Sequence, residues 1–183
     1  MLHRMFIAIN PPESVKNDIG ELIVKLKKYC WPVNWETPGK LHITLHFLGH
    51  IPESDIQIVR DVLCEVVKNT VQFEVKIDGF VAFPNFKFPN IIGLKISDSE
   101  ALFRLQSAIN QGIGETGIGL VEKHSFTGHI TLGRLKPTYA NFKALSGILC
   151  KSQFTVSSIE LMESVLKPAG SEYMMSSSYQ LRS

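Results

Sequence analysis

A single α+β domain is what this 183-residue sequence predicts, and three observations carry the prediction. Segments that alternate apolar and polar residues, the period of a half-buried strand, are interleaved with segments whose apolar residues recur every three or four positions, the period of a helix. No linker, low-complexity stretch or shift of composition divides residues 1–183. The composition, 44% hydrophobic and 20% charged with 13 Gly and 9 Pro, is that of a globular chain large enough for a substantial core.

Met5–Ile9 is a short apolar run closed by Asn10-Pro11-Pro12 and reads as a buried strand. The prolines suit the opening of a helix, where a missing N–H costs little, and Val15, Ile19, Leu22, Ile23 and Leu26 follow at helical spacing. Lys25, Lys27 and Lys28 favour the dipole at its C-terminal end, near Tyr29 and ahead of Trp31-Pro32. Leu41–Leu48 alternates and stops at Gly49, which predicts a strand with one apolar face. After Pro52, Ile56, Val59, Leu63, Val66 and Val67 mark a second helix. Val71, Phe73, Val75 and Ile77 alternate with polar residues as a strand, and Ile91–Ile96 is expected beside it across the turn-rich Pro84–Asn90. Ser97 with Glu100 forms a candidate capping box for a third helix through Leu102, Leu105 and Ile109, ending at Gly112. Gln111–Gly119 holds four glycines and reads as a loop, without the spacing of a GxGxxG phosphate cradle. Gly128–Leu135 is a strand, Thr138–Leu149 holds a short helix, and strands near Gln153–Leu161 and Glu172–Leu181 complete the pattern.

Nineteen Lys and Arg against seventeen Asp and Glu leave a net charge of +2. That excludes nucleic-acid binding driven by a broad polyelectrolyte field, so any such contact must be local. Cys30, Cys64 and Cys150 are odd in number and lack a CxxC, which points to a reducing compartment and to buried or inert thiols. No apolar run approaches the roughly 18 residues of a membrane span. Charge and polarity interrupt Met1–Asn10 before a secretory pattern forms. The expectation is a cytoplasmic protein with no membrane partner.

One tetrapeptide occurs twice, as His42-Ile43-Thr44-Leu45 and as His129-Ile130-Thr131-Leu132. On a strand, residues i and i+2 share a face, so each His points with its Thr while the aliphatic pair anchors the other side. Two such strands side by side build a cleft with two imidazoles and two hydroxyls. With an ordinary pKa of about 6.5, one imidazole can be neutral and take a proton from a nucleophile. The other, protonated, can give one to a leaving oxygen. The threonine hydroxyls can donate to non-bridging oxygens, where transition-state charge sits. This set suits hydrolysis or transesterification of a phosphodiester and needs no metal or other cofactor. His42 and His46 lie about 13 Å apart along a strand, too far to chelate one ion. His46 shares the face of His42 and reads as solvated, with a substrate contact as the alternative. Phe47, of opposite parity, reads as core, while Trp35 and Phe126 flank the motifs as candidates to stack on a base. His3, His50 and His124 carry no partner pattern and read as surface or structural.

The motif pair resembles the two HxTx signatures of the 2H phosphoesterase superfamily. More narrowly, the chain is similar to the RNA 2′,3′-cyclic phosphodiesterases, long known as 2′-5′ RNA ligases. The likeness runs through Arg4–Ile9, Trp35, the LHITLHFLG segment, Phe83-Pro84-Asn85, Phe126, the HITLGRLK segment and Leu161–Tyr173. Gly128 stands where the family usually has Pro, and His46 where Lys is common. The resemblance implies one domain of two lobes over residues 1–183, with approximate internal twofold symmetry. Each lobe is a mostly antiparallel sheet with helices on its outer face, and the HxTx strands line a central groove. The resemblance also implies His42 as proton donor and His129 as proton acceptor in opening a terminal 2′,3′-cyclic phosphate to a 2′-phosphomonoester. Some members run the reverse joining reaction. Arg134 is a candidate phosphate contact beside Thr44 and Thr131. By strict alternation it shares the face of Ile130 and Leu132, so that role requires a bulge, which Gly133 permits. The implied partner is RNA with a cyclic phosphate end or a small cyclic nucleotide, and one chain holds all of this chemistry, so a monomer suffices. The alternative is a module that grips phosphorylated RNA ends or nucleotides without turnover, which an assay on a cyclic mononucleotide separates.

Overall fold

The computed structural model describes residues 1–119, 125–135, 142–148, 150–168 and 170–183. His124 lies outside them, as does part of the helix expected over Thr138–Leu149. The elements run β1 (Leu2–Ile9), α1 (Glu13–Lys27), β2 (Val33–Trp35), β3 (Ile43–Pro52), α2 (Glu53–Lys68) and β4 (Phe73–Phe83). They continue with β5 (Ile91–Ile96), α3 (Glu100–Thr116), β6 (His129–Leu135), β7 (Lys151–Val156), β8 (Ser158–Lys167) and β9 (Gly170–Gln180). Pro38–Lys40 and Lys143–Gly147 form short 3-10 turns, the second standing where the short helix was expected.

The strands form one sheet in the order β7-β4-β5-β6-β3-β1-β8-β9, with β2 paired onto β6. Neighbouring strands are antiparallel throughout. Among the described residues β3 and β6 share a single pair, Ile43 opposite Ile130. That narrow junction divides the sheet into the two expected lobes. In one, β6 pairs with β5, β5 with β4 and β4 with β7. In the other, β3 pairs with β1, β1 with β8 and β8 with β9. Four antiparallel strands on each side of Ile43 and Ile130 make the approximate twofold.

A continuous apolar core joins the helices to one face of both lobes, through Ile19, Leu63 and Ile109 from the helices and Ile43, Leu94 and Ile130 from the strands. Each such aliphatic contributes roughly 1.5–3 kcal/mol on burial. The other face is different. There Phe6, Ala8 and Met162 form a small separate cluster with Tyr173 against it. This second face carries the groove.

Four boundaries differ from the sequence expectation, each for a tertiary reason. Ser99, not Ser97, caps α3: its hydroxyl accepts the Leu102 N–H at 3.2 Å, while the Ser97 N–H donates to the Lys76 carbonyl. α3 also runs past Gly112, where a Cβ would stand 2.7 Å from Val62 Cγ1 of α2, and stops at Gly117 with φ 71°. Gly112 is therefore a helix-packing contact, and the loop expected from Gln111 begins only after Thr116. β3 continues through Gly49 to Pro52 because β1 pairs with it that far, down to Leu2 opposite Pro52. The strand expected over Gln153–Leu161 is two strands, one in each lobe.

Candidate active site

Once Ile43 and Ile130 pair with their side chains in the core, their neighbours must face the groove. His42, just before β3, and Thr44 do so on one side; His129 and Thr131 do so on the other, all four half-buried. Thr44 stands opposite Ala8 and Thr131 opposite Gly93, small neighbours that leave both hydroxyls room.

Each motif strand then carries a bulge at the same place. In β3 the register steps from Ala8 opposite Thr44 to Ile7 opposite His46, leaving Leu45 as the extra residue. In β6 it steps from Gly93 opposite Thr131 to Ile92 opposite Gly133, leaving Leu132 extra. One extra residue reverses the alternation. Phe47 and Arg134 therefore turn to the groove, and His46 and Gly133 turn to the core. The bulge that a groove-facing Arg134 requires is thus present. The readings of His46 as solvated and Phe47 as core are corrected by the same device. His46 is 3% exposed and bonds through Nδ1 to Asn110 Oδ1 of α3, whereas Phe47 is 44% exposed with its ring centroid 6.1 Å from that of Phe6. Gln106 Nε2 of α3 donates to the Leu45 carbonyl at 3.4 Å, a partner for the bulged peptide.

The two imidazoles are held alike. His42 Nδ1–H donates to the Lys40 carbonyl at 2.7 Å, and His129 Nδ1–H donates to the Thr127 carbonyl at 2.8 Å. A carbonyl only accepts, so the ring proton sits on Nδ1 and a neutral ring keeps Nε2 free. Aromatic rings wedge them in place: Phe6 and Tyr173 have centroids 5.0 and 5.2 Å from His42, and Phe83 lies 4.6 Å from His129. Burial pushes the His42 pKa down to about 4 against the Lys40 hydrogen bond, and the charges on His129, Arg134 and Lys16 lower it further. Burial lowers His129 as well, opposed by the Thr127 bond and helped by Arg134. Arg134 thus acts on both rings. Its half-exposed guanidinium also reaches toward Glu36, Nε to Oε1 3.9 Å. Burial and the Glu36 carboxylate raise Tyr173, so its hydroxyl keeps its proton. Together these groups present two free ring nitrogens, two hydroxyls and a cation, which suits an oxyanion that must also exchange protons. Among the described residues, no three His, Cys, Asp or Glu side chains gather where they could hold a metal ion.

The model of the 2′-5′ RNA ligase superfamily matches residues 11–167. The chain belongs to that superfamily. A Thermotoga maritima relative, an RNA 2′,3′-cyclic phosphodiesterase, is 32% identical over 133 residues, 73% of this chain and 70% of the relative. A solved structure from Thermus thermophilus shares 26% identity at a TM-score of 0.84 and covers 98% of each chain. The structure of Escherichia coli LigT complexed with 3′-AMP has the same fold, at a TM-score of 0.79 and 16% identity over 99% of each chain.

Within this superfamily fold, sequence reasoning overlooked the groove residues that come from distant strands. Phe6 and Tyr173 touch His42 from β1 and β9, and only the strand order brings them there. Their segments did carry the family likeness, which was the available signal. Trp35 stands opposite Gly133, and Trp35 and Phe126 are each half-buried against the main core. Gly128, in place of the usual Pro, ties the entry of β6 to β5 by accepting the Ile96 N–H at 2.9 Å. His3 bonds Glu163 at 2.8 Å, a structural role, and His50 is exposed. All three cysteines are free, and Cys30 and Cys64 are exposed rather than buried. No helix of the described residues is long and apolar enough to cross a membrane.

Proposed function

We propose that this chain is an RNA 2′,3′-cyclic phosphodiesterase that uses His42 and His129 as general acid and base, without a metal. The observation that carries the reading is the pair of Nε2 atoms, each freed by a backbone bond on Nδ1, facing one groove beside Arg134. On the assignment implied by the family resemblance, His129 Nε2 takes a proton from water as the water oxygen bonds to phosphorus. The P–O3′ bond breaks, His42 gives its Nε2 proton to the 3′-oxygen, and the product is a 2′-phosphomonoester. Thr44 and Thr131 donate to the non-bridging oxygens while Arg134 balances their charge. With a ribose 5′-hydroxyl in place of water, the same transfers join two ends through a 2′-5′ linkage.

At about 4, the His42 ring is neutral near neutral pH in the free protein and its Nε2 carries no proton to give. The substrate supplies the missing field. A phosphate anion in the groove favours the charged form of each imidazole and offsets Arg134, which opposes it. The acid is loaded by the molecule it acts on. One chain contains every group invoked, and the protein works as a cytoplasmic monomer on RNA ends or small cyclic nucleotides.

The test is a product-resolved assay on a short RNA with a 2′,3′-cyclic phosphate, in excess EDTA. Accumulation of the 2′-phosphate end is expected. A 3′-phosphate product, or turnover that needs an added divalent ion, overturns the mechanism. Tight binding without any product selects the non-catalytic module instead.

A further inference from the structure

We propose that the hairpin loop between β4 and β5, residues Pro84–Asn90, is a stacking platform for the single-stranded RNA that runs 5′ from the cyclic phosphate. The inference rests on the phosphodiesterase reading and adds a substrate class to it: a strand, in preference to a mononucleotide.

The loop reads Pro84-Asn85-Phe86-Lys87-Phe88-Pro89-Asn90. Turn tips ordinarily carry Gly, Asn, Asp or Ser. This one holds up two phenylalanines, Phe86 at 46% and Phe88 at 58% exposed, around a lysine. Neither ring serves the core, so the fold alone gives no reason for them. Their backbone is braced by Asn85, whose Oδ1 accepts the N–H of Lys87 at 2.9 Å and of Phe88 at 3.0 Å.

Both ends of the loop are fixed beside the groove. Phe83, one residue before it, lies 4.6 Å from the His129 ring. At the other end the Asn90 carbonyl accepts the N–H of Leu135 at 2.8 Å, next in sequence to Arg134. A strand leaving the phosphate on the side of His129 and Arg134 runs past this loop. Lys87 Nζ sits 5.4 Å from the Phe88 ring centroid and covers one ring face, leaving the other for a base. The lysine itself suits the backbone phosphate of the stacked nucleotide. At a net charge of +2 no broad field can hold RNA, so affinity for a strand has to come from a local contact of this kind. Aromatic faces with an adjacent cation grip single strands whatever their sequence.

The experiment compares two substrates, a 2′,3′-cyclic mononucleotide and a short single-stranded RNA with the same end, on wild type and on the Phe86→Ala/Phe88→Ala double variant. KM for the RNA should rise on the order of tenfold with kcat unchanged, the mark of lost uniform binding. Mononucleotide kinetics should not move, and Lys87→Gln should flatten the salt dependence of KM for the RNA alone. Parallel losses on both substrates, or no change on either, overturn the platform while leaving the phosphodiesterase reading intact. So does self-association of the wild type that the double variant abolishes, because the rings then serve a second copy of this chain. A wild type that turns over neither substrate overturns both readings.

Discussion

In β3 the bulge turns Phe47 into the groove and His46 into the core; in β6 the same bulge turns Arg134 into the groove and Gly133 into the core. The backbone device is shared, and so is the way each motif imidazole is held, by a carbonyl two residues before it. What differs is what each half packs behind its bulge. At Gly133 a Cβ would stand 2.4 Å from Val33 Cγ1, because β2 lies over β6, and only glycine fits. At His46 the neighbour is α3, which offers Asn110 and leaves room for a ring. The approximate twofold thus delivers two equivalent imidazoles, while the proposed reaction needs two inequivalent ones. The inequivalence comes from the surroundings: Phe6 and Tyr173 bury His42, and Arg134 places a cation on the other half.

Removing either histidine should show the largest effect, a loss on the order of 10²–10⁴ in kcat for His42→Ala or His129→Ala. The two losses are told apart by a substrate with sulfur at the bridging 3′ position. A thiolate leaves with little acid assistance, its parent pKa being about 8.5, so this substrate should rescue His42→Ala and leave His129→Ala impaired. The opposite rescue reverses the assignment, an outcome with a physical motive, since the more deeply buried His42 gives up its proton first in the free protein. The pH profiles follow with a defined sign. Both pKa values are depressed, so the kcat/KM bell, which reports free enzyme, should centre below pH 6.5 with its acid limb near 4. Bound phosphate raises both imidazoles, so the kcat bell should lie at higher pH. Coincident bells would remove the field that the substrate is held to supply.

The threonines come next. Loss of a well-formed oxyanion donor costs on the order of 10²–10³ in kcat, and these half-exposed hydroxyls should give somewhat less. Thr44→Ala and Thr131→Ala should slow turnover at an unchanged melting temperature. Equal losses would mean that transition-state charge straddles the twofold. A larger loss at Thr131 would place that charge nearer Arg134. Wild-type rates in both variants would exclude the hydroxyls as phosphate ligands.

The strands and the shared face of each His and Thr were legible in the sequence, because a period of two is a local signal. The bulges were not. Each is one residue, Leu45 or Leu132, and becomes visible only in register with β1 or β5. In β6 a glycine hinted at it; in β3 the run Leu45-His46-Phe47 gives no such hint, so alternation carried the reading of His46 and Phe47 to the wrong faces. α3 outran its expected end for a similar reason, since the glycine that looks like a stop is a contact with Val62 from another helix. Tyr173 was beyond reach of any local rule. It lies at the far end of the chain and meets His42 only through the strand order.

The smallest effect tests the asymmetry most directly, at the one groove position where the two strands differ. Phe47 touches Phe6, which in turn packs on His42, and no reacting atom is asked of it. Phe47→Ala removes an aromatic contact worth about 0.5–1.5 kcal/mol, so KM should rise by roughly two- to tenfold with kcat unchanged. A fall in kcat instead would mean that Phe47 orients His42 through Phe6. Phe47→Arg sharpens the comparison by giving β3 the residue that β6 already has. A cation there should act on His42 with the sign that Arg134 shows, lowering its pKa further and moving the acid limb of kcat/KM to lower pH. The limb moving to higher pH, or staying in place while KM falls, would show that the second cation acts on the bound phosphate and not on the imidazole. The choice of phenylalanine over arginine in β3 would then be a matter of binding, and the protonation of His42 would be set by its burial, the Lys40 bond and the charges already around it.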